Sequence, residues 1–340
     1  NMKLISHIAL STAVVVLSAG TAAAGDSSPA YNFLNVPSSV TSYGLGGLNI
    51  STVNDDVNNI DMNPALLGPE MEKTIGLNYM YYIGKSNFAG AKFANGINDR
   101  SAYAVGIQYF GYGSIRGADA EGNITGNFSP KDVAFSGYYA HDIGGYWRGG
   151  AALKFLYSAY DEYSAFAIAT DLAVNYYNPD KDLSFSFVVA NLGGQVKRFT
   201  DSYDRLPIDV RLGWTQSFGS LPVRFSITAW NLTKWNLPYY EAGDGTQDPE
   251  LKKTFASNLF RHLIFGVDFV PSSNLSITLG YNYKTRTDMS AYQRSFLSGF
   301  TIGASLKVKM FGIGIAFAQP HSGASTFMFN LSTSINDFLR

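Results

Sequence analysis

Six Asx side chains fall within residues 54–61: Asn54, Asp55, Asp56, Asn58, Asn59 and Asp61. Clustered carboxylates and amides are the hard oxygen donors that calcium takes. The spacing, however, lacks the central glycine and terminal glutamate of a calcium-binding hand. Short polar side chains that bond their own backbone in turns and helix caps account for the cluster better. The histidines are His7, His141, His262 and His321, and no two stand at metal-ligand spacing. His141 and Asp142 are adjacent, so on a strand they point to opposite faces and cannot act together as base and orienter. There is no G-x-S-x-G element. The residues offer no catalytic, metal or cofactor site, and the chain reads as non-enzymatic.

Around the cluster lie the other unusual residues of the segment. Gly44, Gly46 and Gly47 precede it, and Gly46-Gly47 allows close backbone approach or a dihedral that a Cβ resists. Asn63-Pro64-Ala65-Leu66-Leu67 follows it. The proline bars a helix at Asn63 and permits a helical turn to begin at Pro64. Glycine pair, Asx turns and proline stop together describe a compact, turn-rich segment that has to be held by something larger.

Composition says what that larger body is. Of 340 residues only 15% are charged, against about 25% in a soluble domain, while Tyr, Phe and Gly number 22, 24 and 34. The net charge of -1 offers nucleic acid no basic surface. Without cysteine there is no disulfide framework and no thiolate metal site. Met2-Lys3, the apolar run from Ile8 to Val16 and Ala22-Ala23-Ala24 read as a secretory signal peptide over residues 1–24. No later apolar run reaches the length of a membrane-spanning helix.

From Lys73 onward the hydrophobic period is two. Phe185, Phe187 and Val189 alternate with serines; Leu275, Ile277, Leu279 and Tyr281 alternate with small or polar residues; so do Phe311, Ile313 and Ile315, and Phe327, Phe329 and Leu331. About 14 such segments can be counted, each near the ~10 residues of a tilted membrane strand. They begin near residues 74, 87, 101, 129, 146, 165, 183, 207, 222, 262, 275, 296, 311 and 325. The joints alternate as well. Tight ones fall at 95–100, 142–145, 178–182, 218–221, 271–274 and near Met310. Most of the others are longer, at 113–128, 193–206, 233–261, 284–295 and 319–324, while the first and fifth joints, near Lys85 and Tyr160–Tyr163, are short. A soluble sandwich has no reason to alternate its loops, whereas a transmembrane barrel has. The expected fold is therefore an all-β, antiparallel transmembrane barrel of residues 73–340, with 25–72 as an N-terminal plug. Tyr79, Tyr81, Tyr82, Tyr138, Tyr139, Tyr176, Tyr177, Trp230 and Trp235 are expected in girdles at its rims.

The glycine pair, acidic residues and Asn-Pro-Ala-Leu resemble the N-terminal segment of FadL-like outer-membrane proteins. Over Asn32–Met71 the run is similar to the PorV/PorQ branch of that family, which serves type IX secretion in Bacteroidota. The polar Ser39–Ser42 stretch departs from the family's pattern. The resemblance implies an outer-membrane barrel embedded in lipid that anchors the surface protein PorZ beside the sortase PorU and the barrel PorV. The alternative it carries is a FadL-like channel for hydrophobic compounds. Two long loops, one with Lys197, Arg198 and Arg205 and the other with Trp235, Tyr239 and Tyr240, are the expected partner-binding surface.

Overall fold

The computed structural model describes residues 30–118, 123–218, 221–241, 250–289 and 295–338. The expected signal peptide and its cleavage point lie outside the described residues. No described helix is long and apolar enough to cross a membrane.

Strands make up most of the chain. The first group is β1 Thr74–Tyr81, β2 Asn87–Asn98, β3 Ser101–Gly111, β4 Ile115–Ala118, β5 Ile124–Phe128 and β6 Lys131–Gly144. Next come β7 Trp147–Tyr160, β8 Tyr163–Asn178, β9 Leu183–Lys197, β10 Asp209–Ser217, β11 Val223–Ala229, β12 Tyr239–Glu241 and β13 Glu250–Lys252. The last are β14 Leu263–Ser272, β15 Leu275–Asn282, β16 Phe300–Val308, β17 Phe311–His321 and β18 Ala324–Ser334. Fourteen of them form one closed antiparallel barrel in chain order, with β1 paired to β18 in the register Thr74↔Ser334 to Tyr81↔Phe327. Closure leaves no barrel edge with unpaired backbone, which a hydrocarbon environment demands. The two short pairs, β4–β5 and β12–β13, are hairpins inside long connections.

The two faces of the wall are chemically opposite. Leu77, Tyr79 and Tyr81 of β1, Phe185 and Phe187 of β9, Ile277 and Leu279 of β15, and Ile313 and Ile315 of β17 are all exposed outward. Between them Asn78 and Met80, Ser184 and Ser186, and Thr278 are buried inward. Such a continuous apolar exterior is stable only against lipid. The fold is of the outer-membrane barrel type.

Loops and rims depart from expectation in places. The β17–β18 joint is a tight turn, because the ladder runs on to His321↔Ala324. β16 starts at Phe300, after a hydrogen-bonded turn from Ser295 to Ser298. Tyr138 is not a girdle residue: its parity along β6 turns it inward, where it is buried. Tyr82 and Trp230 also pack against interior clusters. At the short-turn end the expected Tyr176 is joined by Trp147 (ring centroids 5.1 Å apart) and Tyr146 (5.7 Å).

Candidate functional site: the lumen and its N-terminal segment

Residues 30–72 are threaded through the ring. At the long-loop end, the Ala30 amide donates to the Arg205 carbonyl at 2.9 Å and Gln195 donates to the Tyr31 hydroxyl at 3.1 Å. The chain then crosses to the short-turn end, where Arg224 reaches the Val53 carbonyl and Lys307 lies 3.9 Å from exposed Asp55. It returns to mid-lumen at Asp61. It leaves again beside Arg148, which bonds the Leu67 carbonyl at 3.2 Å and pairs with Glu70 at 2.8 Å and Asp142 at 2.5 Å. The second passage enters β1.

Local sequence explains this path. Ser39 caps the helical turn Val40–Gly44 by accepting from Thr41 N, and its hydroxyl donates to Asp56 at 2.7 Å. Asp56 in turn caps Asn58 N at 3.0 Å. Gly46 and Gly47 adopt φ of 101° and 90°, left-handed conformations that residues with a Cβ avoid. Their backbone is bonded from the wall: Thr301 Oγ1 donates to the Gly44 carbonyl and accepts from the Gly46 amide, both at 2.9 Å, and Asn282 donates to the Gly46 carbonyl at 3.2 Å. Asn63 is the N-cap of the turn Pro64–Leu66, accepting from Ala65 N at 2.8 Å. Its amide nitrogen donates to the Ile50 carbonyl at 2.7 Å and to Ser186 of β9 at 3.1 Å. Ala65, Leu66 and Leu67 are buried, with Leu67 in an apolar cluster alongside Val57, Ile60, Met71 and small wall alanines.

Asp61 is the hub. It receives bonds from Ser38, Tyr138 and Gln108 (2.6 Å for the last) and pairs with Lys92 at 2.7 Å. The Lys92 side chain is 0% exposed, and Asp61 is its ion-pair partner. A pair buried so deeply is tolerated because the carboxylate's remaining lone pairs are also bonded. Further inward pairs are Lys154–Asp171 at 2.6 Å, Arg211–Asp209 at 2.9 Å and Arg224–Asp268. Arg211 also ties the segment to the wall, donating to Asn35 at 2.7 Å. Sequence reasoning placed Asp61 in a turn cluster and missed its partners. The available signal was parity: Lys92, Lys154, Asp171, Arg211 and Arg224 are charges at inward positions of strands that carry few charges. Among the described residues no group of three or more His, Cys, Asp or Glu side chains could hold a metal ion.

The expected loop residues are brought to one end of the barrel but are largely engaged within the chain. Lys197 bonds Ser164 at 2.6 Å, Arg198 bonds the Asp201 carbonyl and covers the Tyr203 ring, and Arg205 is half-buried. Trp235 stacks on His262 with centroids 4.8 Å apart, and His262 is fixed between the carbonyls of Trp230 (2.8 Å) and Trp235 (2.9 Å). Tyr239 lies under the Arg261 guanidinium, while Tyr240 is exposed. Thr233 joins the two loops through the Ile208 carbonyl at 3.0 Å.

A cavity of about 310 Å³ opens above the segment toward the long-loop end. Val36, Tyr43 and Leu48 of the segment face Trp230, Met289 and Ala318 across it. The Trp230 indole N–H, on its lining, is buried with no protein hydrogen-bond partner, while the Thr326 hydroxyl meets the Tyr43 hydroxyl. Burial pushes the Tyr43 and Tyr82 hydroxyls above the ordinary phenol range, so both stay neutral. A second hollow of about 370 Å³ is lined by Tyr139, Ile143, Leu172 and Phe187 on the outward face, which lipid covers.

A crystal structure of a Pseudomonas aeruginosa FadL homologue superposes with a TM-score of 0.51 at 10% identity, covering 87% of this chain and 98% of that one. The fold is FadL-like. A deletion mutant of the monoaromatic hydrocarbon channel TodX superposes with a TM-score of 0.50 at 12% identity, covering 88% and 98%. No protein-family model and no curated protein matches the chain. The FadL-like barrel here is therefore established by shape, at identities where shape and not activity is shared.

Proposed function

We propose that this FadL-like barrel takes up a small hydrophobic compound at the long-loop end, with the N-terminal segment as the plug below it. The observation that carries the reading is the 310 Å³ cavity between segment and wall. Its size and its mixed lining, with Val36, Leu48 and Met289 beside polar groups such as Asn35, Asn282 and Asp288, are compatible with a small-molecule site. The unpartnered Trp230 N–H suits an apolar ligand carrying one hydrogen-bond acceptor. The hydrocarbon channel among its structural relatives supports the same class of compound.

A second reading is an anchor of the type IX attachment complex, holding PorZ with PorU and PorV. It is favoured by the Asn32–Met71 sequence and by the ends of the β11–β14 connection, where His262 bonds the Trp235 carbonyl and Arg261 pairs with Asp288. One experiment separates the two. The protein is purified in mild detergent from its own outer membrane, and both small molecules and proteins that come with it are identified by mass spectrometry. A small apolar molecule, lost in a cavity-filling Val36→Trp variant, supports uptake. A surface protein lost on shortening 233–261, with no bound small molecule, overturns uptake in favour of the anchor.

A further inference from the structure

The lipid-facing surface does not stop where the barrel's hydrogen bonds stop. On β14 the outward column of Phe269, Val267 and Phe265 is continued by Phe260, whose ring lies 6.4 Å from Phe265. Phe260 belongs to the helix Phe255–Arg261 of the β11–β14 connection and also meets Tyr283, 6.1 Å away, at the top of β15. On β15 and β16 the outward column ends at Tyr281 and Phe300, whose rings are 4.7 Å apart. It is extended by Leu297 and Phe296 of the next connection. Phe296 is 87% exposed and Phe255 71%, the two most exposed large apolar residues described. Isolated exposed phenylalanines need no explanation; a run continuous with a membrane face does.

The ledge is rigid. Arg261 bonds Thr287 and pairs with Asp288 at 2.6 Å, which locks the helix Phe255–Arg261 to the helix Tyr283–Asp288. Arg286 bonds the carbonyls of Phe296 (3.3 Å) and Ser298 (3.2 Å), so the turn bearing Phe296 is held in place. The charged groups of both helices are thus turned to intramolecular partners, while the rings are left outside.

We propose that Phe260, Phe296 and Leu297 form a lipid-seated ledge: over β14–β16, the acyl region of the bilayer reaches the loops rather than ending at the strand tips. The occupant is lipid because the ledge is continuous with the lipid-covered wall and presents apolar rings to it. The proposal is independent of what the lumen binds.

The chain has no cysteine, so single cysteines introduced as Phe260→Cys and Phe296→Cys each give one site for a nitroxide. Leu279→Cys marks the strand wall and Tyr240→Cys an exposed loop. Variants are refolded into phosphatidylcholine vesicles, folding is confirmed by heat-shifted mobility on gels, and accessibility to oxygen and to a water-soluble nickel chelate is measured. The expected result is oxygen-dominated relaxation at 260 and 296 matching 279. Nickel-dominated relaxation matching 240 overturns the proposal. So does a label shielded from both reagents, which would mean a protein contact at the ledge. Leu297→Cys replaces any ledge variant that fails to fold.

Discussion

At the scale of single residues, the lumen is decided by Asp61 and Lys92. Both are buried, and the Lys92 ammonium nitrogen lies 2.7 Å from the Asp61 carboxylate. Removing one partner of such a pair strands the other charge and costs about 3–5 kcal/mol, whereas replacing the pair with apolar residues of like volume is often neutral. Asp61→Asn is therefore expected to lower the stability of the refolded barrel by about that amount in urea titrations monitored by tryptophan fluorescence. Adding Lys92→Met should return most of the loss. A single variant as stable as the parent would mean that Lys92 reaches water and that the pair does not hold the segment.

At the scale of elements, the strand is an alternation whose two faces meet different solvents. Phe187 and Leu279 face outward and their neighbours Ser186 and Thr278 face inward. Arginine at a midplane lipid-facing position costs about 2–4 kcal/mol, and much less near the rims. Phe187→Arg and Leu279→Arg should each reduce folding yield in vesicles and lower stability by about that amount. The check is the heat-shifted band after refolding, and parental yields from both variants would show that the assigned face is not the lipid face. The connecting loops obey a different logic. In the described part of the β11–β14 connection, Trp235 stacks on His262 and Tyr239 lies under Arg261, so these two rings serve first as contacts within the chain.

At the scale of the molecule, a closed wall of fourteen strands encloses a segment that crosses it and comes back. The wall satisfies its own backbone, and the segment's backbone and caps are satisfied by wall side chains such as Thr301, Asn282 and Asn330. If the segment is the plug, the barrel reconstituted in planar bilayers should conduct little. Deleting residues 38–67 together with Lys92→Met, which avoids a stranded charge, should raise conductance sharply. Equal conductance before and after deletion, in protein that folds, would remove the plug reading while leaving the fold intact.

Much of this was legible in the sequence because a membrane barrel repeats one local rule. Period-two patterning, apolar outward residues and alternating joints determined the strand number, and strand starts at residues 74, 87, 101, 183, 275 and 311 coincide with the structure. The capping roles of Asp56 and Asn63 and the left-handed Gly46-Gly47 are likewise local, set by side-chain reach and by the absence of a Cβ. What period two cannot say is which inward residue meets which. Asp61 joins Lys92, Gln108 and Tyr138 from three different strands, and their meeting depends on barrel closure and on how the segment turns back in the lumen. Tyr138 shows the limit: its type suits a girdle, but its parity and the buried carboxylate facing it placed it inside. Only the tertiary structure could decide that, because burial of a charge is a property of everything around it.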